Sequence, residues 1–196
     1  INELMRKDIP FVFMTNNSRH TQLDIATRLQ RMGSPVEETH IFTSAMATGQ
    51  FLASQKPNGT VYVLGEGGLA LSLHQHGYAV VDKDPDYVVV GEGRTLTLEN
   101  IEKAIDMIIA GAKLIVTNRD PSPRHPDWPK PGAGAIVAML EEATGIKAFS
   151  VGKPSPVMMN AARRALNLQP EETTVIGDTM ETDVLGGEQL GYRTIL

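Results

Sequence analysis

Short continuous runs of apolar and β-branched residues alternate along this chain with segments in which apolar residues recur every three or four positions. Continuous runs such as 11–14 and 174–176 are typical of strands that are buried on both faces of a sheet. Apolar positions three apart, as at Leu23, Ala26 and Leu29, are typical of one face of a helix. The alternation of the two patterns predicts an α/β fold with a mostly parallel sheet.

The number of predicted strands is high for a single sheet, so the pattern divides the chain into two α/β units. We expect a core formed by both ends of the chain, residues 1–46 and 147–196, and a second unit, residues 47–146, inserted between them. The least regular segment, 118–134, holds five prolines. A long irregular connection of this kind is more often a functional loop than filler.

Composition narrows the classes of function. A net charge of −5 argues against binding to nucleic acid or to an anionic membrane. No apolar run approaches the roughly 20 residues of a membrane span, and no signal-like segment opens the sequence. The absence of cysteine excludes disulfides and thiolate metal sites. We therefore expect a cytoplasmic protein.

Polar residues follow three of the predicted strands, at the points where those strands end. Residues 15–18 are small and polar, Lys153 follows a strand near 148–151, and Asp178 and Asp183 follow the run at 174–176. Ligands collect beyond the carboxyl ends of parallel strands. Backbone N–H groups at a helix start bind anions, a lysine neutralises a phosphoryl group, and paired carboxylates suit Mg²⁺.

Each of these signals has a simpler explanation when it is taken alone. The residues at 15–18 could be helix caps, Lys153 could be a surface lysine, and Asp178 and Asp183 could be loop and cap residues. Their common position at strand ends favours phosphate chemistry over three separate coincidences.

These stretches, in this order, resemble the second, third and fourth motifs of the haloacid dehalogenase superfamily. More narrowly, the chain resembles the NagD-type phosphatases, which carry a large α/β cap between the second and third motifs. The resemblance implies a Rossmann-like core with a mostly parallel sheet and an inserted α/β cap at 47–146. The motif matches lie at 13–18, 151–156 and 175–183, and further matches to the subgroup lie at 42–48, 62–67 and 88–92.

The resemblance also implies an activity and roles for particular residues. The expected enzyme is a Mg²⁺-dependent phosphatase of small phosphorylated metabolites, either nucleoside monophosphates or sugar phosphates. Thr15 and Asn16 would bind the transferring phosphoryl group, and Lys153 would pair with the nucleophile and the phosphate. Asp178 would ligate Mg²⁺, and Asp183 would support the metal shell. The sequence does not decide whether the protein forms a homo-oligomer.

Three further residues are candidates for phosphate or substrate binding. Asn17 lies in the loop that follows the first strand, and Asn118 and Arg119 open the irregular segment. Because a core that binds only phosphate and metal cannot tell leaving groups apart, we expect substrate choice to lie in residues 118–131. This segment also offers Arg124 and His125 as donors.

The chain departs from the family pattern at the nucleophile. The family attacks phosphate with the first aspartate of an Asp-x-Asp-Gly motif, forming an aspartyl-phosphate, while the second aspartate acts as general acid and base. No such motif precedes Thr15, where Asp8 stands alone. Later in the chain, Asp82 and Asp84 are separated by one residue, but no glycine follows them and they lie in the presumed cap. We therefore expect the nucleophile to lie upstream of Ile1.

The ends of the chain agree with this expectation. The sequence opens within a predicted helix and ends within a predicted strand, so we expect it to be part of a longer enzyme.

Two alternatives to the phosphatase function stay open. One is a non-catalytic relative that keeps a phosphate or metal pocket, and the other is a different phosphoryl-transfer or dehalogenase activity. Dehalogenation is the less favoured of these activities, because a carbon–halogen substrate needs no Mg²⁺.

Overall fold

All pairs of neighbouring strands within residues 1–122 and 130–196 run parallel. The computed structural model describes residues 1–122 and 130–196, and the α/β class predicted from the sequence is confirmed there. The strands are β1 Phe13–Thr15, β2 Ile41–Thr43, β3 Thr60–Leu64, β4 Ala79–Val80, β5 Tyr87–Val90, β6 Lys113–Val116, β7 Phe149–Ser150, β8 Thr174–Ile176 and β9 Arg193–Ile195.

Helices alternate with these strands, and local sequence sets several of their ends. The Thr21 hydroxyl accepts a hydrogen bond from the Asp24 N–H, and the Asp24 carboxylate accepts one from the Thr21 N–H, which fixes the start of one helix. None of the helices in the described residues is long and apolar enough to cross a membrane. The helices are α1 Asn2–Arg6, α2 Gln22–Arg31, α3 Ser44–Gln55, α4 Gly67–Gln75, α5 Leu98–Ile109, α6 Ala133–Thr144, α7 Pro156–Ala165 and α8 Leu185–Glu188, with shorter helical turns at Glu38–His40, Pro170–Glu172 and Met180–Val184.

The central strands of the larger sheet are buried between two layers of helices. Five strands form it in the order β4-β3-β5-β6-β7, while β1 pairs with β2 and β8 pairs with β9. Successive side chains of a strand point to opposite faces. Val88 and Val90 accordingly pack with residues of α5 and α6, whereas Val89 and Ile115 pack with residues of α3, α4 and α7.

The division of the chain into 1–46, 47–146 and 147–196 stays a prediction. The large sheet takes most of its strands from the middle of the chain. Its edge strand β7, Phe149–Ser150, comes from the segment assigned to the core.

Two strands are less buried than their apolar runs predicted. The runs at 11–14 and 174–176 form β1 and β8, but Ile176 is 73% exposed and β1 is only half-buried. Burial of a parallel strand needs a neighbouring strand on each side and helices on both faces. Within residues 1–122 and 130–196, β1 pairs only with β2 and β8 only with β9, so each keeps one edge without a strand.

Candidate active site

The loop after β1 is held firmly in place by its own hydrogen bonds and by its neighbours. The Asn17 N–H donates to the Thr15 hydroxyl at 3.1 Å. The Asn16 carbonyl accepts a hydrogen bond of 2.6 Å from the hydroxyl of Ser44 at the start of α3. Asn16 and Ser18 are both buried. The small polar residues predicted at this strand end therefore form an ordered loop.

Asn16 joins this loop to the segment that carries Lys153. The Lys153 N–H donates to Asn16 Oδ1 at 2.8 Å, and Asn16 Nδ2 donates to the Lys153 carbonyl at 3.1 Å. Gly152 permits the approach, because a Cβ there would overlap the Thr117 carbonyl oxygen and lie 2.7 Å from Asn16 Oδ1. Two segments that the sequence analysis assigned to phosphate chemistry are thus in direct contact.

Lys153 in turn binds the second of the two predicted aspartates. Its Nζ lies 2.6 Å from Asp183 Oδ1, and the two side chains are only 12% and 8% exposed. A Cβ on Gly177 would overlap the Asp183 side chain, so the glycine lets Asp183 lie against the loop that follows β8. Separating a buried pair of this kind is costly, because each charge would be left without a partner.

Asp178 lies on the same loop, next to Gly177, and is exposed. One of its carboxylate oxygens accepts a hydrogen bond of 3.1 Å from the Thr179 hydroxyl. No group of three or more His, Cys, Asp or Glu residues that could hold a metal occurs among the described residues. Mg²⁺ is often bound by only one or two carboxylates, with waters and substrate phosphate completing its shell. The donor set of Asp178 and Asp183 fits that mode of binding.

Asn118 lies at this site, whereas the side chain of Arg119 binds residues outside it. Asn118 is fully buried, and its Nδ2 donates to the Asn16 carbonyl at 2.8 Å. The Arg119 guanidinium donates instead to Glu141 at 2.8 Å and to the Ala148 carbonyl at 2.7 Å. The predicted donors Arg124 and His125 lie outside the described residues.

Sequence reasoning missed two acidic residues that touch the loop after β1. Asp120 accepts a hydrogen bond from Asn16 Nδ2 at 3.2 Å, and Glu92 accepts one from Asn17 Nδ2 at 3.1 Å. Burial raises the pKa of Glu92, and the negative charge of Asp120 raises it further, while Arg19 opposes the rise. Glu92 follows a continuous apolar run and ends the subgroup match at 88–92, but the sequence analysis gave it no role.

Two family models match the ends of the chain. Residues 1–79 match a model described as haloacid dehalogenase-like hydrolase, and residues 150–196 match one described as HAD-hydrolase-like. The matched ranges contain Thr15, Asn16, Lys153, Asp178 and Asp183.

Relatives of known function match the whole chain. A dihydroxyacetone phosphatase of Corynebacterium glutamicum is 40% identical over 196 residues, which are 100% of this chain and 71% of the relative. The ribonucleotide monophosphatase NagD of Escherichia coli K12 is 39% identical over the same 196 residues and 77% of its own length.

Solved structures of phosphatases are also similar to this chain over nearly its whole length. NagD from E. coli K-12 superposes with a TM-score of 0.94 at 39% identity, covering 100% of this chain and 76% of that one. A double mutant of the thermostable NPPase from Geobacillus stearothermophilus superposes with a TM-score of 0.96 at 38% identity, covering 99% and 78%. The chain belongs to the haloacid dehalogenase-like hydrolases, in the group of NagD-type phosphatases.

Proposed function

We propose that this protein is a Mg²⁺-dependent phosphatase that hydrolyses phosphate monoesters of small metabolites. The observation that carries the proposal is the buried contact of 2.6 Å between Lys153 and Asp183, tied to the loop after β1 through Asn16. This contact joins a cation, a carboxylate and an anion-binding loop at the ends of three strands. The phosphatase names of the relatives support the same chemistry.

The loop after β1 and Lys153 would bind the phosphoryl group. Thr15 offers a hydroxyl, Asn17 a side-chain amide, and the loop its backbone N–H groups. The Asn16 amide already bonds to the backbone of Lys153, so we assign its side chain to holding that lysine in position. The Lys153 ammonium would stabilise charge at the reacting phosphoryl oxygens, where a fixed cation contributes most in the transition state.

Asp178 and Asp183 would hold the metal ion. Besides these two carboxylates, Asp120 adds negative charge next to Asn16, while Lys153 is the cation in contact with Asp183. An excess of carboxylates favours a bound divalent cation before a dianionic substrate enters. When bound, Mg²⁺ would neutralise charge on the phosphoryl oxygens.

The nucleophile would come from a strand upstream of Ile1. β1 and β8 each keep one edge without a strand among the described residues. Lys153 connects the loop after β1 to Asp183, which lies against Gly177 at the end of β8. A strand carrying Asp-x-Asp-Gly between them would place its first aspartate beside Lys153. That carboxylate would attack phosphorus while the ester oxygen leaves with a proton from the second aspartate. Water would then hydrolyse the aspartyl-phosphate to release inorganic phosphate.

Nucleoside monophosphates and sugar phosphates are the substrate classes we propose. The names of the relatives, a ribonucleotide monophosphatase and a dihydroxyacetone phosphatase, support small phosphorylated metabolites. The segment 118–131 would choose among them. A cytoplasmic location and the oligomeric state stay predictions.

A kinetic comparison tests the proposal. The complete protein, including the proposed upstream segment, is assayed against a panel of phosphate monoesters with Mg²⁺ and with a chelator. Lys153→Met should lower kcat more than it raises KM, whereas Lys103→Met, at an exposed lysine of α5, should change neither. Absence of Mg²⁺-dependent hydrolysis across the panel would contradict the phosphatase function. An unchanged kcat for Lys153→Met would contradict the role of that lysine.

A further inference from the structure

Three carboxylates from adjacent strands of the large sheet bind the loop that follows β1. Glu66 follows β3, Glu92 follows β5 and Asp120 follows β6, and these strands are neighbours in the sheet. Their partners are close together in the sequence: Asp120 binds Asn16, Glu92 binds Asn17, and Glu66 binds Arg19.

Glu92 binds the loop through both its side chain and its backbone. Its carboxylate accepts the hydrogen bond from Asn17 Nδ2, and its N–H donates to the Ser18 hydroxyl at 2.9 Å. Ser18 is fully buried and also accepts a hydrogen bond from the Thr117 hydroxyl at 3.2 Å. A Cβ on Gly91 would lie 2.8 Å from Ser18 Oγ, so glycine allows this close approach.

The charge of Glu92 is unfavourable at this position. Burial and the negative charge of Asp120 raise the pKa of Glu92, so the folded protein holds this carboxylate at a cost. A negative charge beside a phosphate-binding loop also repels the substrate. Any favourable effect of Glu92 on phosphate binding must therefore come from the hydrogen bonds that it makes to the loop.

We propose that Glu92 is a positioning residue for the phosphate-binding loop, holding Asn17 and Ser18 so that the Thr15 hydroxyl and the loop N–H groups stay directed towards the phosphoryl group. This inference rests on the proposed phosphatase function. It gives the large sheet a direct role in the geometry of the site.

The sign of the change in phosphate affinity tests this role. Glu92→Ala in the complete protein should raise both the KM for p-nitrophenyl phosphate and the inhibition constant of inorganic phosphate about tenfold, which corresponds to about 1.4 kcal/mol. If Glu92 acts only through its charge, the same change should tighten phosphate binding, and that result would overturn the proposal. The matched control is Glu102→Ala, at an exposed glutamate of α5, which should change neither constant.

Two further variants keep the test decisive. Glu92→Asp retains the charge but withdraws the carboxylate from Asn17, so it should weaken phosphate binding in the same direction, even if Glu92→Ala fails to fold. In an Asn17→Ala background, Glu92→Ala should add less than twofold, because its partner is already absent. Full additivity of the two changes would contradict the proposal.

A binding measurement separates this inference from the phosphatase function. Calorimetric titration of inorganic phosphate into the wild type and Glu92→Ala reports on the loop without requiring turnover. If the wild type hydrolyses no ester but Glu92→Ala still weakens phosphate binding, the phosphatase function fails and the positioning role stands. If the wild type is active and Glu92→Ala matches Glu102→Ala in both constants, the positioning role fails.

Discussion

Lys153 and Asp183 form a buried ion pair whose energy depends on the presence of both partners. Lys153→Met would leave the Asp183 carboxylate buried without a counter-charge, and we expect it to lower the free energy of unfolding by about 3 kcal/mol. Replacing both residues, with Lys153→Met and Asp183→Leu, should cost less, because no unpaired charge stays buried. Urea denaturation of the three proteins measures the differences.

The exposed pair of Lys103 and Glu99 provides the control for this experiment. Lys103→Met should change the free energy of unfolding by less than about 0.5 kcal/mol, because solvent screens an exposed pair. A loss for Lys153→Met as small as that of the control would mean that the buried pair contributes little to folding.

Asp178 offers a test of the proposed metal site that does not depend on turnover. Asp178→Ala should lower the affinity for Mg²⁺ at least about tenfold, since a hard cation needs carboxylate oxygen. Titration calorimetry with Mg²⁺ measures the affinity. Glu181→Ala, at an exposed glutamate in the helical turn Met180–Val184 that follows this loop, should leave it unchanged. Equal affinities for wild type and Asp178→Ala would remove Asp178 from the proposed ligand set.

Some contacts of the candidate site were predictable from the sequence, because each residue follows a strand. Asn16, Lys153 and Asp183 were singled out in this way, and the structure joins them. The partners Asp120 and Glu92 were not predicted, although they also follow strands, because the sequence analysis assigned those strands to a separate inserted unit. A local pattern carries no signal for a contact that only the folded sheet creates.

At the scale of elements, Glu141 connects α6 to the segments on either side of it. Its carboxylate binds Arg119, Lys147 and the Ala148 N–H. These hydrogen bonds, with that from Arg119 the strongest influence, lower the pKa of Glu141 from 4.5 to about 2. The base of the irregular segment is therefore fastened to α6 and to the residues before β7.

This lowered pKa predicts how stability depends on pH. Because the folded protein holds the Glu141 carboxylate ionised more strongly than the unfolded chain does, the stabilisation is full above pH 4.5 and is lost as the pH falls towards 2. The stability difference between wild type and Glu141→Gln should therefore shrink over this range in denaturation measured at several pH values. Glu142→Gln, at the exposed neighbour on α6, should show no such trend.

The burial of a strand was predicted more accurately where the strand has a neighbour on each side and helices on both faces. The runs at 61–64 and 87–90 became β3 and β5, in which neighbouring strands and helices on both faces provide the expected burial. The run at 174–176 became β8, yet Ile176 is 73% exposed. Local sequence encodes the preference for a strand, whereas burial depends on which other strands lie beside it.

At the scale of the whole molecule, the segment 118–131 begins next to the loop after β1, because Asn118 donates a hydrogen bond to the Asn16 carbonyl. Exchanging this segment for that of a relative with another preference should change the order of kcat/KM values across a phosphate panel. Activity on the small ester p-nitrophenyl phosphate should change much less, because this ester reaches little of the segment. A fixed order with uniformly lower activity would mean that the segment supports closure and not choice of substrate.

The two small sheets give the last prediction. β1 and β8 each keep one edge without a strand among the described residues, and Lys153 connects the loop after β1 to Asp183, which lies against the end of β8. If the strand carrying the nucleophile belongs between them, the 196-residue chain alone should bind phosphate and Mg²⁺ but hydrolyse no phosphate ester. Addition of a segment with Asp-x-Asp-Gly before Ile1 should produce Mg²⁺-dependent turnover and protect the backbone amides of β8 from hydrogen exchange.

The control for this experiment changes only the nucleophile. Replacing the first aspartate of that motif by asparagine should abolish turnover while the protection remains. Hydrolysis by the 196-residue chain that disappears with Lys153→Met would exclude a contaminating phosphatase, and would mean that the nucleophile lies within residues 1–196.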